Sequence, residues 1–157
     1  GAIANLRVGG LGTSLRPLAG LRSLTAFAIA ERIKHLDVIA TLPRVTSLGI
    51  GGQSLKTMPF LPLTLTSIDF ALGGTRNFED LTVLPKLERV AIWRTRQLEM
   101  TDLAPLNRIA KLRTVELSQL PRVTSLAWLT NPSVKRIVLE DMDVVLPKRS
   151  RYAIMER

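Results

Sequence analysis

The segment LTSIDFALGGTRNFEDLTVLPKLERVAI, Leu65–Ile92, holds the reading on which the fold turns. It opens on the phrase apolar-x-x-apolar-x-apolar, as Leu65-Ile68-Phe70, and closes on the same phrase, as Leu87-Val90-Ile92, 22 residues later. Between them stands a second phrase, Asp80-Leu81-x-x-Leu84. In an extended segment alternate side chains face opposite ways, so each strand phrase sends its apolar set to one side and leaves the residues between on the other. Self-similarity at a fixed period of this size signals a repeat architecture.

Outward from that segment the strand phrase recurs as Ile3-Leu6-Val8, Leu21-Leu24-Ala26, Val45-Leu48-Ile50, Leu112-Val115-Leu117 and Val134-Ile137-Leu139. The seven copies start 18, 24, 20, 22, 25 and 22 residues apart. The second phrase returns as Ser14-Leu15-x-x-Leu18, Asp102-Leu103-x-x-Leu106 and Ser125-Leu126-x-x-Leu129. A repeat of this length cannot bury its own apolar side, whereas stacked neighbours can.

On these residues, from Ile3 to about Leu146, the chain resembles the leucine-rich-repeat family, and within it the short bacterial internalin-like repeats. The resemblance implies an α/β solenoid, a right-handed superhelix of about seven repeats with a parallel sheet on its concave side. The family's asparagine, three residues after the last strand apolar, is replaced by Leu11, Ile29, Gln53, Gly73, Thr95, Leu120 and Met142. The family also implies non-enzymatic protein binding without a cofactor. Its settings include the C-terminal ligand-sensing region of a NACHT-type signalling NTPase and stand-alone inhibitors of toxins.

Local signals fill in the connections. Ile29, Ile33, Leu36 and Ile39 recur at helical spacing and predict a helix over 28–41. Thr101 or Asp102 is a candidate cap for a short helix with Pro105 in its first turn, and Asn77 for one over 78–84. The heptapeptide LPRVTSL occurs at Leu42–Leu48 and again at Leu120–Leu126. The repeat phase puts the first copy in a strand and the second on the outer side. Residues 147–157 read as a C-terminal cap, with a short helix through Tyr152, Ile154 and Met155, or as a charged tail.

Composition narrows the chemistry. The 157 residues suit a single domain, 1–157, and 46% of them are hydrophobic but only 4% aromatic. Leucine alone supplies 27. With no cysteine there is no disulfide, thiol nucleophile or cysteine zinc site, and any Ser–His–Asp site would have to use His35. His35, in ERIKHLD, lies beside an apolar stripe and reads as a surface or partly covered histidine. Adjacent carboxylates point different ways, so Glu79-Asp80 and Glu140-Asp141 read as turn and cap residues rather than as acid/base or metal-binding pairs. The glycine pairs Gly9-Gly10, Gly51-Gly52 and Gly73-Gly74 follow strand phrases and lack a phosphate-loop ending, so they read as tight exits needing positive φ. No catalytic, metal-binding or cofactor residue is assigned. No apolar run reaches the roughly 20 residues of a membrane span. A cytoplasmic protein is expected, and because the chain starts with Gly and enters a strand phrase at once, a piece of a larger one.

The exposed face of the sheet is then the candidate site. Its early rows are small; its later rows carry Arg89, Trp93, Glu116 and Arg136, while Phe27 also falls outward in this register. The net charge of +9 is uneven: residues 1–85 hold 8 basic and 5 acidic groups, residues 86–157 hold 14 and 8. Tryptophan and arginine dominate binding hot spots. The residues expected to touch a protein partner are Arg89, Trp93, Arg94, Glu116, Arg136 and Phe27. The alternative is phosphate contact by the basic surface, with Trp93 stacking on a base. A purely structural spacer is the third reading.

Overall fold

The computed structural model describes residues 3–157. It contains eight strands: β1 (Asn5–Val8), β2 (Ala26–Ile29), β3 (Ser47–Gly51), β4 (Ser67–Ala71), β5 (Arg89–Trp93), β6 (Thr114–Ser118), β7 (Arg136–Glu140) and β8 (Ala153–Glu156). All pair in parallel and in sequence order, so each coil lies only against the one before and the one after. This is a leucine-rich-repeat solenoid. The core runs the length of the stack beneath the sheet. Each register row is one core rung: Leu6, Phe27, Leu48, Ile68, Val90, Val115, Ile137 and Ile154 stand opposite one another.

The second repeat sits three residues later than its phrase suggests. Ala26, not Ser23, pairs with Asn5, so the inward set is Leu24-Phe27-Ile29. Both registers satisfy the apolar phrase. The observed one buries Phe27 and Ile29, each 2% exposed, where the other turns Phe27 to solvent. Fully burying one such side chain is worth about 1.5–3 kcal/mol. With this shift the first repeats begin at 3, 24, 45 and 65, a more even spacing.

The connections hold 3₁₀ turns rather than α-helix: Arg16–Leu18, Leu36–Thr41, Glu79–Leu81 and Met100–Arg108. The helix expected over 28–41 is interrupted because Ala26–Ile29 is committed to the sheet. Glu31 and His35 also adopt left-handed φ of 64° and 62°, which an L-residue helix cannot contain. Asn77 does cap the turn after it, its Oδ1 accepting the Glu79 N–H at 3.0 Å. Asp102 acts from inside its turn, accepting the Glu99 N–H at 2.9 Å. The second LPRVTSL copy lies between β6 and β7, as the repeat phase requires. Both copies bury the same apolar trio, Leu42, Val45 and Leu48 in one and Leu120, Val123 and Leu126 in the other. Residues 153–156 form an eighth strand instead of a capping helix.

Two ladders bind coil to coil. On the entry side of the sheet, the Thr25, Thr46 and Thr66 hydroxyls donate to the carbonyls of Ala4, Thr25 and Thr46 at 3.2, 3.3 and 3.1 Å. On the exit side, the residue two past the last inward strand position is left-handed in seven successive coils: Gly10, Glu31, Gly52, Leu72, Arg94, Gln119 and Asp141. Positive φ thus belongs to a position in the repeat, which glycine fills twice. Gly73 and Gly74 serve a different need. A Cβ on Gly73 would overlap the carbonyl oxygen of Gln53, because here the coils approach backbone to backbone. A buried asparagine does link coils, but on the far side: Asn131 donates to the carbonyls of Leu106 and Ile109, both at 2.9 Å.

Candidate interaction surface

The outward residues of β4 to β7 form two zones. Nearer the strand entries, Arg89 organises an ionic cluster. Its Nε and Nη2 donate to both carboxylate oxygens of Glu116 at 3.0 and 2.9 Å. Its Nη1 donates to Asp69 Oδ1 at 2.6 Å and to Ser67 Oγ at 2.9 Å. The register explains this reach. Asp69, Ala91 and Glu116 occupy one row, with Arg89 one pleat lower on the middle strand, so its guanidinium spans β4 to β6. The cluster closes over Ala91, which is fully buried although it points outward. The hydrogen bonds from Arg89 hold the Glu116 carboxyl below its ordinary value of 4.5, against the opposing effect of burial, and the charges of Arg157 and Arg136 help. Glu116 in turn raises the affinity of Arg89 for its proton.

Nearer the strand exits, Trp93 stands half-buried at the side of a recess of about 230 Å³, with Ala71, Leu72, Arg94, Ser118, Gln119 and Glu140 around it. Arg94 Nε donates to Gln119 Oε1 at 2.7 Å, and Gln119 Nε2 donates to Asp141 Oδ2 at 2.9 Å. These three are successive members of the left-handed exit ladder, which is why side chains from three coils meet in one row. A broader depression of about 880 Å³ continues past them to Arg96, Leu120 and Asp143. Leu72, between the two, is left-handed and 64% exposed.

The structure thus gathers four of the expected residues, Arg89, Trp93, Arg94 and Glu116, onto two adjoining zones. Arg136 is exposed on the next strand, two register positions along from Arg89 with Thr114 between. Phe27 is corrected: the register shift turns it inward, into the core beneath β2, where it is 2% exposed. Asp69 and Gln119 were not singled out from sequence, and Asp141 was read only as a turn or cap residue. Asp69 shared the outward phase and its charge opposes that of Arg89, a signal that was readable. Gln119 and Asp141 lie past the strand ends, where alternation says nothing.

The other candidate groups have structural partners. His35 Nδ1 lies 2.8 Å from Ser14 Oγ at the start of a 3₁₀ turn. Glu79 accepts both of its 2.6 and 2.7 Å hydrogen bonds from Arg108 Nη2, and Asp80 Oδ2 accepts the Met58 N–H. Among the described residues no group of three or more His, Cys, Asp or Glu could hold a metal ion. Nor is any helix there long and apolar enough to cross a membrane.

The fold and this surface define a leucine-rich-repeat solenoid with an open, charged sheet face. The chain superposes on the crystal structure of internalin C2 from Listeria monocytogenes with a TM-score of 0.59, over 99% of this chain and 81% of that one, at 19% sequence identity. At that identity the likeness is one of fold. No family model and no curated protein matches the sequence.

Proposed function

We propose that this chain is a non-enzymatic recognition module that binds a protein partner through the sheet face of β4 to β7, with Trp93 as the apolar anchor and Arg94 and Arg136 as polar contacts. The observation that carries the reading is the half-buried Trp93 at the edge of its recess, beside a charged platform already locked by internal hydrogen bonds. A large aromatic over a pocket is what interface hot spots are made of, and a platform held rigid in advance loses little entropy when a partner docks. In this arrangement Arg89 and Glu116 spend their charge on each other and shape the surface, while Trp93, Arg94 and Arg136 meet the partner. A NACHT-type sensor region and a stand-alone toxin inhibitor both call on such a face. Affinity capture from source-cell extract, with the chain and its Trp93→Ala and Arg136→Glu variants as bait, tests it. Loss of one captured protein by both variants, with the melting temperature held within a few degrees, is the expected result. Equal capture by all three baits overturns the reading.

A further inference from the structure

The entry edge of the sheet carries a different signature from its face. Lys86, Lys111, Arg113, Lys135 and Arg136 all lie at the entries of β5, β6 and β7, either three residues before the strand, immediately before it, or as its first residue. All five are exposed. Arg113 N–H donates to the Glu88 carbonyl, and Lys135 N–H to the Arg113 carbonyl, both at 2.8 Å, so these positions are stacked directly coil upon coil. Parallel strands lie about 4.8 Å apart, which sets the spacing of the cations along the stack. Lys148 and Arg149, also exposed, lie five and four residues before β8, farther from its entry.

None of these seven cations takes part in an ion pair among the described residues, whereas Arg76, Arg89, Arg108 and Arg122 all do. The carboxylate of Glu88 stands among them, and that of Glu116 lies within electrostatic reach of Arg136. The exit edge of the same strands is mixed in sign, carrying Arg94, Arg96 and Arg157 as well as Glu140, Asp141, Asp143 and Glu156. The net charge of +9 is therefore not a uniform coat. Much of it is a line of unneutralised cations on one edge of the second half of the stack.

We infer that this entry edge docks the phosphodiester backbone of a nucleic acid. A concentration of like charges along one edge complements a polymer that carries its opposite charge at every unit, and such contacts draw their free energy from counterion release rather than from apolar burial. An acidic protein surface fits less well, because protein interfaces are centred on buried apolar or aromatic anchors. Of the exposed large apolar side chains, Val83 precedes Lys86 and Val145 and Leu146 precede Lys148, at the two ends of the series, and none falls between Lys111 and Arg136. Arg136 borders both this edge and the Trp93 face, whereas Lys111, Arg113 and Lys135 belong to the edge alone, so variants of these three test the edge independently of that face.

Fluorescence anisotropy of the whole chain with a labelled 20-nucleotide DNA strand, its duplex and the matching RNA tests the inference. Binding is measured from about 50 to 200 mM salt, where each neutralised phosphate adds about −0.7 (single strand) to −0.9 (duplex) to the slope of log K against log salt. Reversal of Lys111, Arg113 and Lys135 to Glu is expected to weaken binding by at least about 10-fold and to flatten the slope by about two to three units. Reversal of Arg16, Arg32 and Lys34 to Glu changes the net charge equally on other parts of the coil and is expected to leave the slope nearly unchanged. Melting curves confirm that each variant is folded, and Arg113→Glu alone carries the comparison if the triple variant is not. Equal losses in the two triple variants, absence of binding at the lowest salt, or equally tight binding to poly-glutamate or to anionic lipid vesicles would overturn the inference.

Discussion

Arg89 grips Glu116 across a strand boundary with two parallel hydrogen bonds, Nε to Oε1 and Nη2 to Oε2, while its remaining nitrogen holds Asp69 on the other side. One arginine thus ties three successive coils together on the outer face. The side chains of Arg89 and Glu116 are 30% and 21% exposed, so the pair is screened less than an ordinary surface ion pair. Truncation of the arginine leaves two carboxylates close together above a buried Ala91. Arg89→Met is expected to cost about 1–3 kcal/mol in urea unfolding. A loss under about 0.5 kcal/mol would mean the cluster contributes no more than surface charge does.

The same pair sets an acid limit. The Glu116 carboxyl is held below its unfolded value, so the folded chain favours the ionised form. That stabilisation is complete above the ordinary value of 4.5 and is lost as pH falls from there through the lowered folded value. Melting temperature measured from about pH 6 to pH 2 should therefore drop on the acid limb, and Glu116→Gln should shrink the drop while lowering stability at neutral pH. An unchanged acid limb in that variant would assign the effect to other carboxylates.

Gly73 and Gly20 separate two reasons for glycine. A methyl group on Gly73 meets the Gln53 backbone, which cannot move aside as a side chain end could. Gly20 has φ of 72° and open space around it. Gly73→Ala is expected to cost about 1–3 kcal/mol by overpacking, without changing the m-value. Gly20→Ala is expected to cost about 1 kcal/mol from left-handed strain alone. Equal costs in chemical denaturation would refute the distinction.

Leu72 offers a stabilising change. It holds a left-handed φ of 55° while leaving most of its side chain in solvent, a combination that favours neither backbone nor burial. Leu72→Asn is expected to raise stability by up to about 1 kcal/mol, since asparagine tolerates this conformation. It also borders the Trp93 recess, so the same variant should weaken partner capture if that recess is the contact. Strained residues cluster at functional sites, and a variant both more stable and less competent is the pattern expected of one.

Most of the stack was legible because one apolar phrase repeats in phase, and six of the seven phrases fall on the strands as read. The second did not, because Leu21, Leu24, Phe27 and Ile29 satisfy two registers and only the neighbouring strand decides between them. The eighth strand was hidden for a related reason. Its row offers Arg151 and Glu156 where the phrase wants apolar residues, leaving Ile154 as its inward mark. Of the site, the outward charges and Trp93 followed from alternation. The reach of Arg89 to Asp69 and the meeting of Arg94, Gln119 and Asp141 needed cross-strand register and turn geometry, which a single chain read linearly does not display.

The left-handed exit residues make each coil an interchangeable unit. A deletion from Gly73 through Arg94 removes 22 residues and joins Leu72, at one exit, to Thr95, which follows the next. Every remaining turn keeps its place, and β4 comes to lie against β6. Copy number can thus change by unequal recombination between neighbouring coils with no loss of phase, and surface residues such as Arg89 and Trp93 come and go as a cassette.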